Sequence, residues 1–152
     1  MKKLGIRCSN IDYAYVVLEG ARSSPQVVEK NMIPFPKGYS RSENLKWFYQ
    51  EIKQILKRLE IDTITMKGAE ALATRDKSYV ARVENEAMVF LVAADHGVEN
   101  VSRKIKATIA KDLGLKGKAK YIAQLDTSVF PTYAEESTKM QEAILAAWSS
   151  LE

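Results

Sequence analysis

Cationic side chains are concentrated in one stretch of this chain, between residues 103 and 120. Asp112 is the one acidic residue within it, although the whole chain carries a formal net charge of only +4. Clustered Lys and Arg can bind phosphate, although a charge run is more often a solvated helix face. We therefore treat the stretch as a candidate nucleic-acid-binding surface, with these binding residues: Arg103, Lys106, Lys111, Lys116, Lys118 and Lys120.

Residue types that usually carry catalysis are scarce. The chain has one cysteine, Cys8, and one histidine, His96, which excludes an intrachain disulfide and a histidine-rich metal site. It contains neither the Gly-x-x-x-x-Gly-Lys-Ser phosphate loop nor the Gly-x-Gly-x-x-Gly dinucleotide motif. We interpret Cys8 as a small buried residue and His96 as a helix-end residue. We expect no cofactor and no metal ion.

Length and composition set the scale of the molecule. With 152 residues, 46% of them hydrophobic, the chain suits a single domain that spans residues 1–152. No apolar run approaches the ~20 residues of a membrane-spanning helix. The opening Met1-Lys2-Lys3 has no signal-peptide core. We therefore expect a cytoplasmic protein without membrane association.

The elements that must position any site begin with three short strands. Residues 3–8 and 11–19 form two largely apolar stretches on either side of a polar turn at Ser9-Asn10, and they predict a hairpin. Residues 26–33 alternate between apolar and polar side chains and predict a third strand, so the three should form an antiparallel meander. Ser40 and Glu43 then make a capping box, which predicts the start of a helix.

The second half of the chain alternates strands and helices. Ile61 to Met66 is rich in β-branched residues and predicts a buried strand, parallel to its neighbour across the helical crossover. We expect a second helix from Ser78 to Asp95, with Gly97 as its C-cap, and a short strand at residues 98–101. Ser102 is interpreted as the cap of a third helix, and Ser42 and Ser78 are likewise interpreted as caps rather than nucleophiles. Thr132 and Glu135 make a second capping box, which predicts the start of the last helix.

The second predicted helix has more apolar surface than one sheet can cover. Its narrow face of small and apolar residues consists of Val80, Val83, Ala87, Leu91 and Ala94, with Met88 and Phe90 beside it. Two-fold dimers are the most common oligomers, so the excess surface predicts a homodimer.

The predicted order resembles the RNase H-like α/β fold: three antiparallel strands, then parallel strands flanked by helices on both faces. Leu4-Gly5-Ile6-Arg7 is similar to the Leu-Gly-Ile-Asp start of RuvC-type resolvases, and residues 141–147 resemble their closing helix. Residues 117–120 correspond to a basic loop near the substrate of that family. The chain also resembles a family of small bacterial proteins of this fold with no established activity, through Ile-Lys-Ala-Thr at residues 105–108.

The resemblance to RuvC-type resolvases bears on catalysis. Those enzymes use about four carboxylates to hold two divalent ions. Carried over by resemblance, the four positions are occupied here by Arg7, Lys67, Lys139 and Glu142. Three cations would repel a divalent ion rather than ligate it, because hard cations require oxygen ligands. The resemblance therefore implies a RuvC-like domain that has lost nuclease chemistry.

Two interpretations of these four positions remain open. Glu142 could neutralise Arg7 or Lys67 in a partly buried salt-bridge cluster, or the cations could bind an anion in place of the metals. We favour the salt-bridge cluster. The corresponding function is a non-catalytic binding module for nucleic acid. The alternatives are a homodimeric protein-interaction or regulatory module without a nucleic-acid role, and a hydrolase with a site around Glu142.

Overall fold

A five-stranded sheet forms the centre of the computed structural model, which describes residues 1–152. Its strands are β1 (Lys2–Cys8), β2 (Asp12–Ala21), β3 (Ser24–Pro34), β4 (Ile61–Lys67) and β5 (Asn100–Lys104). They are arranged in the order β3-β2-β1-β4-β5. The first three strands pair antiparallel, whereas β1 with β4 and β4 with β5 pair parallel. The predicted meander and the predicted parallel half are both confirmed.

Helices cover both faces of this sheet. They are α1 (Arg41–Arg58), α2 (Lys77–His96), α3 (Lys106–Asp112) and α4 (Thr138–Trp148). Helices α1 and α2 pack on one face, and α4 packs on the other, against β1 and β2. Short 3-10 turns at residues 119–124, 127–129 and 133–135 connect α3 to α4. No helix is both long enough and apolar enough to cross a membrane.

Alternation along β1 and β2 feeds two separate hydrophobic cores. The side chains of Leu4, Ile6 and Cys8 alternate along β1 and point into the core beneath α1 and α2. On β2, Ala14 and Val16 point into the core beneath α4. Because both faces are covered, the central strands are apolar almost throughout, as is usual for strands buried on both sides.

Helix α1 begins where the sequence predicts. Glu43 N donates to Ser40 Oγ at 3.2 Å, and Ser40 N donates to Glu43 Oε1 at 3.1 Å. The capping box is therefore complete, and Ser42 lies beside the cap instead of forming it. At the end of α2, Gly97 adopts the left-handed conformation (φ 81°), which confirms the predicted C-cap.

The structure corrects the predicted starts of the later helices. Helix α2 is capped by Asp76 rather than Ser78, since Asp76 Oδ1 accepts hydrogen bonds from Tyr79 N at 2.9 Å and Ser78 Oγ at 2.6 Å. Ser102 lies within β5, opposite Thr65 of β4, and caps nothing. The sequence around Ser102 favours a helix cap, but the backbone hydrogen bonds of β5 with the parallel strand β4 are more favourable and keep Ser102 in the sheet.

The last helix also starts later than predicted. Thr132 and Glu135 lie at a 3-10 turn, and α4 is instead capped by Ser137, whose Oγ accepts from Met140 N at 3.2 Å. The delay leaves Lys139 in the first turn of α4.

Helix α4 crosses β1 at very short range. An added Cβ on Gly5 would lie 2.1 Å from Ala143 O and 2.7 Å from Ala147 N, closer than any real contact allows. Glycine is therefore required at position 5 for α4 to approach the strand. The residue before Ala143 is Glu142, so this close approach also brings Glu142 to the sheet.

Candidate functional site

Arg7 and Lys67 lie near the carboxyl ends of the neighbouring parallel strands β1 and β4 and project toward α4. Alternation sets this direction, since the preceding side chains, Ile6 and Met66, point into the opposite core. Glu142 of α4 meets both cations: Arg7 Nε lies 3.2 Å and Lys67 Nζ 3.5 Å from the same Oε2 atom. The side chains are only 15%, 3% and 12% exposed for Arg7, Lys67 and Glu142. The structure thus brings three of the four predicted positions into one buried ion-pair cluster.

The fourth position, Lys139, lies one turn earlier on α4 and has a different partner. Its Nζ lies 2.7 Å from Asp12 Oδ1 and donates to Ser9 Oγ at 3.3 Å. Asp12 opens β2, just after the turn that follows β1. Lys139 therefore anchors α4 to the β1–β2 turn and contacts neither Arg7 nor Glu142 in an ion pair.

A second carboxylate at Lys67 was missed by sequence reasoning. Glu70 Oε2 accepts from Lys67 Nζ at 2.8 Å and from Lys106 N at 3.2 Å. Burial raises the pKa of Glu70, but these two hydrogen bonds outweigh burial and leave the pKa below its usual value. Glu70 lies in the polar connection between β4 and α2, where no periodic pattern marks a functional position.

Glu86 forms a further cluster on the α2 side of the sheet. Its side chain is only 1% exposed and lies 2.8 Å from Arg103 Nε and 3.4 Å from Arg82 Nε. Arg82 Nη2 also donates to the carbonyl of Lys67 at 2.8 Å, which links the two clusters. A buried carboxylate normally requires such partners. In the sequence, Glu86 looks like any other charged helix residue.

This cluster corrects the prediction for Arg103. The residue lies on β5 rather than on the third helix, and its guanidinium is held by Glu86 and lies 5.2 Å from the ring centroid of Phe90. Gly68 makes room for it, because a Cβ there would lie 2.5 Å from Arg103 Cγ. Arg103 is thus largely committed to the fold.

The remaining candidate lysines are arranged differently. Lys106 is half-buried at the start of α3. Four exposed lysines form no ion pair within the chain: Lys111, Lys116, Lys118 and Lys120. The ammonium groups of Lys116 and Lys120 lie 5.6 Å and 5.2 Å from the ring centroid of Tyr121. We call these four lysines together with Tyr121 the basic surface.

The isolated reactive residues do not form a catalytic set. Cys8 is fully buried, and burial, reinforced by the charge of Glu86, raises the pKa of its thiol well above the usual range. His96 is exposed in the last turn of α2. Cys8 therefore serves as core packing.

The divalent ions that RuvC-type chemistry implies do not fit these residues. Arg7, Lys67 and Lys139, at positions where the resemblance implies carboxylates, would each repel a metal ion, and Glu142 already faces Arg7 and Lys67 in ion pairs. No three His, Cys, Asp or Glu side chains are grouped in a way that could hold a metal.

Comparison with solved structures identifies the fold. RuvC from Thermus thermophilus superposes with a TM-score of 0.76 at 13% identity, over 98% of this chain and 92% of that one. T. thermophilus RuvC in complex with a Holliday junction substrate gives 0.73 at 14% identity, over 98% and 91%. The yeast mitochondrial Holliday junction resolvase gives 0.63 at 12% identity, over 97% and 76%. No protein-family model and no curated protein matches the chain. The chain has a RuvC-like, RNase H-like fold, as predicted, whereas the likeness to a family of small bacterial proteins stays a prediction.

Proposed function

We propose that this RuvC-like domain binds nucleic acid without cleaving it. The observation that carries the proposal is the basic surface, whose exposed lysines have no carboxylate partner in the chain. Surface lysines of this kind bind backbone phosphates, and the ring of Tyr121 holds the ammonium groups of Lys116 and Lys120 close together through cation–π contacts. Thermus RuvC, which shares the fold, has been solved with a Holliday junction substrate, which supports the choice of ligand class.

Loss of cleavage is the second part of the proposal. Two-metal hydrolysis needs several carboxylates that are free to ligate. At the corresponding edge of this sheet, Glu142 is occupied by Arg7 and Lys67. The same arrangement argues against the alternative of a hydrolase around Glu142.

Binding can be tested through its salt dependence. For duplex DNA, log K should fall with log salt with a slope of about −0.9 per phosphate neutralised. Replacing Lys116, Lys118 and Lys120 together by Ala should flatten the slope and weaken binding. A matched control replaces three exposed lysines outside the basic surface, Lys37, Lys46 and Lys57. Absence of binding at low salt, or an equal loss in both triple variants, would contradict the proposal.

Cleavage is tested on the same substrates with Mg²⁺ or Mn²⁺ present. We expect junctions, duplexes and RNA–DNA hybrids to remain intact. Metal-dependent cleavage by the wild type that disappears in Glu142→Ala would overturn the assignment as a non-catalytic domain.

A homodimer is a second proposal, favoured by the outward face of α2. Val80 and Leu91 are 54% and 48% exposed, and Ala87 and Ala94 lie on the same exposed stripe. Met88 and Phe90, in contrast, pack partly against the core beneath α1 and α2, so we no longer include them in the proposed dimer surface. The single-domain organisation and the cytoplasmic location stay predictions.

A further inference from the structure

A cleft opens at the carboxyl edge of the sheet, beside the ion-pair cluster of Glu142. Its volume is about 330 Å³, and it lies between the β1–β2 turn, the connection after β4 and the first turns of α2 and α4. Three cationic side chains line it: Arg7, Arg82 and Lys139. Its one acidic lining residue, Asp76, is occupied in capping α2. The other polar lining residues are Ser9, Asn10, Thr74, Ser78 and Tyr79, of which the hydroxyls of Ser9 and Ser78 already donate to Asp12 and Asp76. Ala69 and Ala73 complete the lining.

The guanidinium groups of Arg7 and Arg82 are both held in place by hydrogen bonds, and each still has one nitrogen without an acceptor in the protein. Arg7 donates through Nε to Glu142 and through Nη1 to the carbonyl of Cys8, and its Nη2 has no acceptor within the protein. Arg82 donates through Nε to Glu86 and through Nη2 to the carbonyl of Lys67, and its Nη1 has no acceptor. The two side chains are only 15% and 13% exposed, so their orientation is fixed by the protein before any ligand arrives.

Arg7 and Arg82 both line the cleft, and each of them shares its carboxylate partner with another cation. Glu142 also faces Lys67, and Glu86 also faces Arg103. Burial, and then the nearby charge of Arg7, lower the pKa of Arg82, which is the expected sign for two guanidinium groups that repel each other. An anion between them would relieve this repulsion.

We infer that this cleft binds a terminal phosphate monoester at the end of a nucleic-acid strand, with Arg7 and Arg82 as its recognition residues. The inference rests on the proposed nucleic-acid binding and assigns a separate site to the strand end. A monoester carries about −1.5 to −2 charges at pH 7 and three acceptor oxygens, whereas an internal phosphodiester carries one charge. Guanidinium forks bind such groups through paired charge-assisted hydrogen bonds.

Size supports a strand end over a continuous strand. A volume of about 330 Å³ lies at the lower end of the range for small-ligand sites. That volume suits one phosphate and its adjoining sugar and cannot hold a length of duplex. The basic surface would bind the rest of the strand without regard to its end.

Oligonucleotides of one sequence, carrying a 5′-phosphate, a 3′-phosphate or hydroxyl ends, provide the test by fluorescence anisotropy. We expect the oligonucleotide with one of the two phosphorylated ends to bind at least about tenfold more tightly than the form with hydroxyl ends. This factor corresponds to one additional charge-assisted hydrogen bond. Arg7→Gln should remove the preference, while Lys57→Gln, an equal loss of charge on α1, should retain it.

A second variant guards against misfolding of Arg7→Gln. Thr74 is exposed in the cleft wall and forms no hydrogen bond, so Thr74→Glu adds a negative charge without disturbing the ion pairs. It should abolish the end preference. Inorganic phosphate, compared with chloride at equal ionic strength, should raise the melting temperature of the wild type and not that of Thr74→Glu.

The outcomes separate this inference from the proposed function. Equal affinity for all ends together with no stabilisation by phosphate overturns the inference and leaves general binding intact. The triple Lys116, Lys118, Lys120 variant should bind more weakly but keep the end preference, which supports two separate sites. Stabilisation by phosphate without binding of any oligonucleotide overturns both the strand-end assignment and the proposed function, and assigns the cleft to free phosphate.

Discussion

Glu142 is the residue on which the charges at the edge of the sheet converge. One of its oxygens accepts from Arg7 and lies within ion-pair distance of Lys67, and all three side chains are largely removed from water. Such a cluster is not in itself strongly stabilising, because desolvation offsets most of the attraction. Removal of one partner is costly, because it leaves uncompensated charge in the interior.

Glu142→Gln should therefore lower the free energy of unfolding by about 3 kcal/mol. This value is near the lower end of the range for removing one partner of a buried ion pair, because Lys67 would still be paired with Glu70. Urea denaturation measures the change. Glu135→Gln, an exposed carboxylate without an ion pair, is the matched control and should change stability by less than about 0.5 kcal/mol. Similar stability of the two variants would mean that Glu142 does not neutralise buried charge.

Glu29 offers a pH-dependent test at a second residue. Arg58 donates to both of its oxygens, at 2.8 and 2.9 Å, and Tyr15 OH donates at 2.6 Å. These hydrogen bonds, that of Arg58 first, lower the pKa of Glu29 from 4.5 to about 2. Because the folded protein favours the ionised form, this stabilisation is present above pH 4.5 and is lost as the pH falls toward 2.

Glu29→Gln should consequently reduce stability by about 1 kcal/mol at neutral pH. The difference from the wild type should shrink as the pH is lowered from 4.5 toward 2. Thermal denaturation across this range measures it, with Glu60→Gln, which lacks an ion pair, as the control. A difference that stays constant with pH would contradict the assignment.

At the scale of elements, the contact between α4 and β1 decides whether the site exists. Helix α4 brings Glu142 and Lys139 to the sheet, and Gly5 allows the helix backbone to approach the strand directly. The helix is further fixed by the Ser137 cap and by the hydrogen bond between Thr65 and Ser150 at 2.6 Å. A small displacement of α4 would separate Glu142 from both cations.

Gly5→Ala should destabilise the protein by about 3 kcal/mol, because the new methyl group meets backbone atoms that cannot move independently. Equilibrium unfolding measures the loss. Gly117→Ala is the control, since a Cβ there would meet nothing closer than Lys111 Cβ at 3.7 Å. Wild-type stability of Gly5→Ala would show that α4 lies farther from β1.

At the scale of the whole molecule, two surfaces remain without a partner. The basic surface extends from the last turn of α3 into the segment that follows it, and the apolar stripe of Val80, Ala87 and Leu91 lies on the outer side of α2. Charge and hydrophobicity are therefore separated on the surface. A dimer formed through α2 would leave the lysines free for nucleic acid.

Sedimentation at micromolar concentration tests the dimer. We expect a species of twice the 17.1 kDa chain mass, and Leu91→Glu should convert it to the monomer by placing a charge in the interface. Leu72→Glu, at an exposed loop residue outside α2, should leave the dimer intact. A wild type that sediments as a monomer would rule out the proposal.

Local patterns in the sequence determined most of the secondary structure and, through it, the fold. The Ser40–Glu43 capping box, the polar turn that ends β1 and the Gly97 C-cap each depend on interactions within a few residues, so they could be predicted directly from the sequence. The resemblance to RuvC-type resolvases added Arg7, Lys67 and Glu142 as candidate site residues.

Only the tertiary structure decided what those residues do. Glu86 meets Arg103, Glu70 meets Lys106, and Arg7 meets Glu142 across 17, 36 and 135 residues of chain, distances over which no sequence period carries information. Ser102 is a further example. Its local sequence fits a helix cap, but backbone pairing with β4, which is distant in sequence, makes it a strand residue. Packing of α2 and α4 against the sheet buries Arg7 and Arg82 and fixes their orientation. The nitrogen atoms of these two guanidinium groups that have no acceptor in the protein are the ones available to a ligand in the cleft.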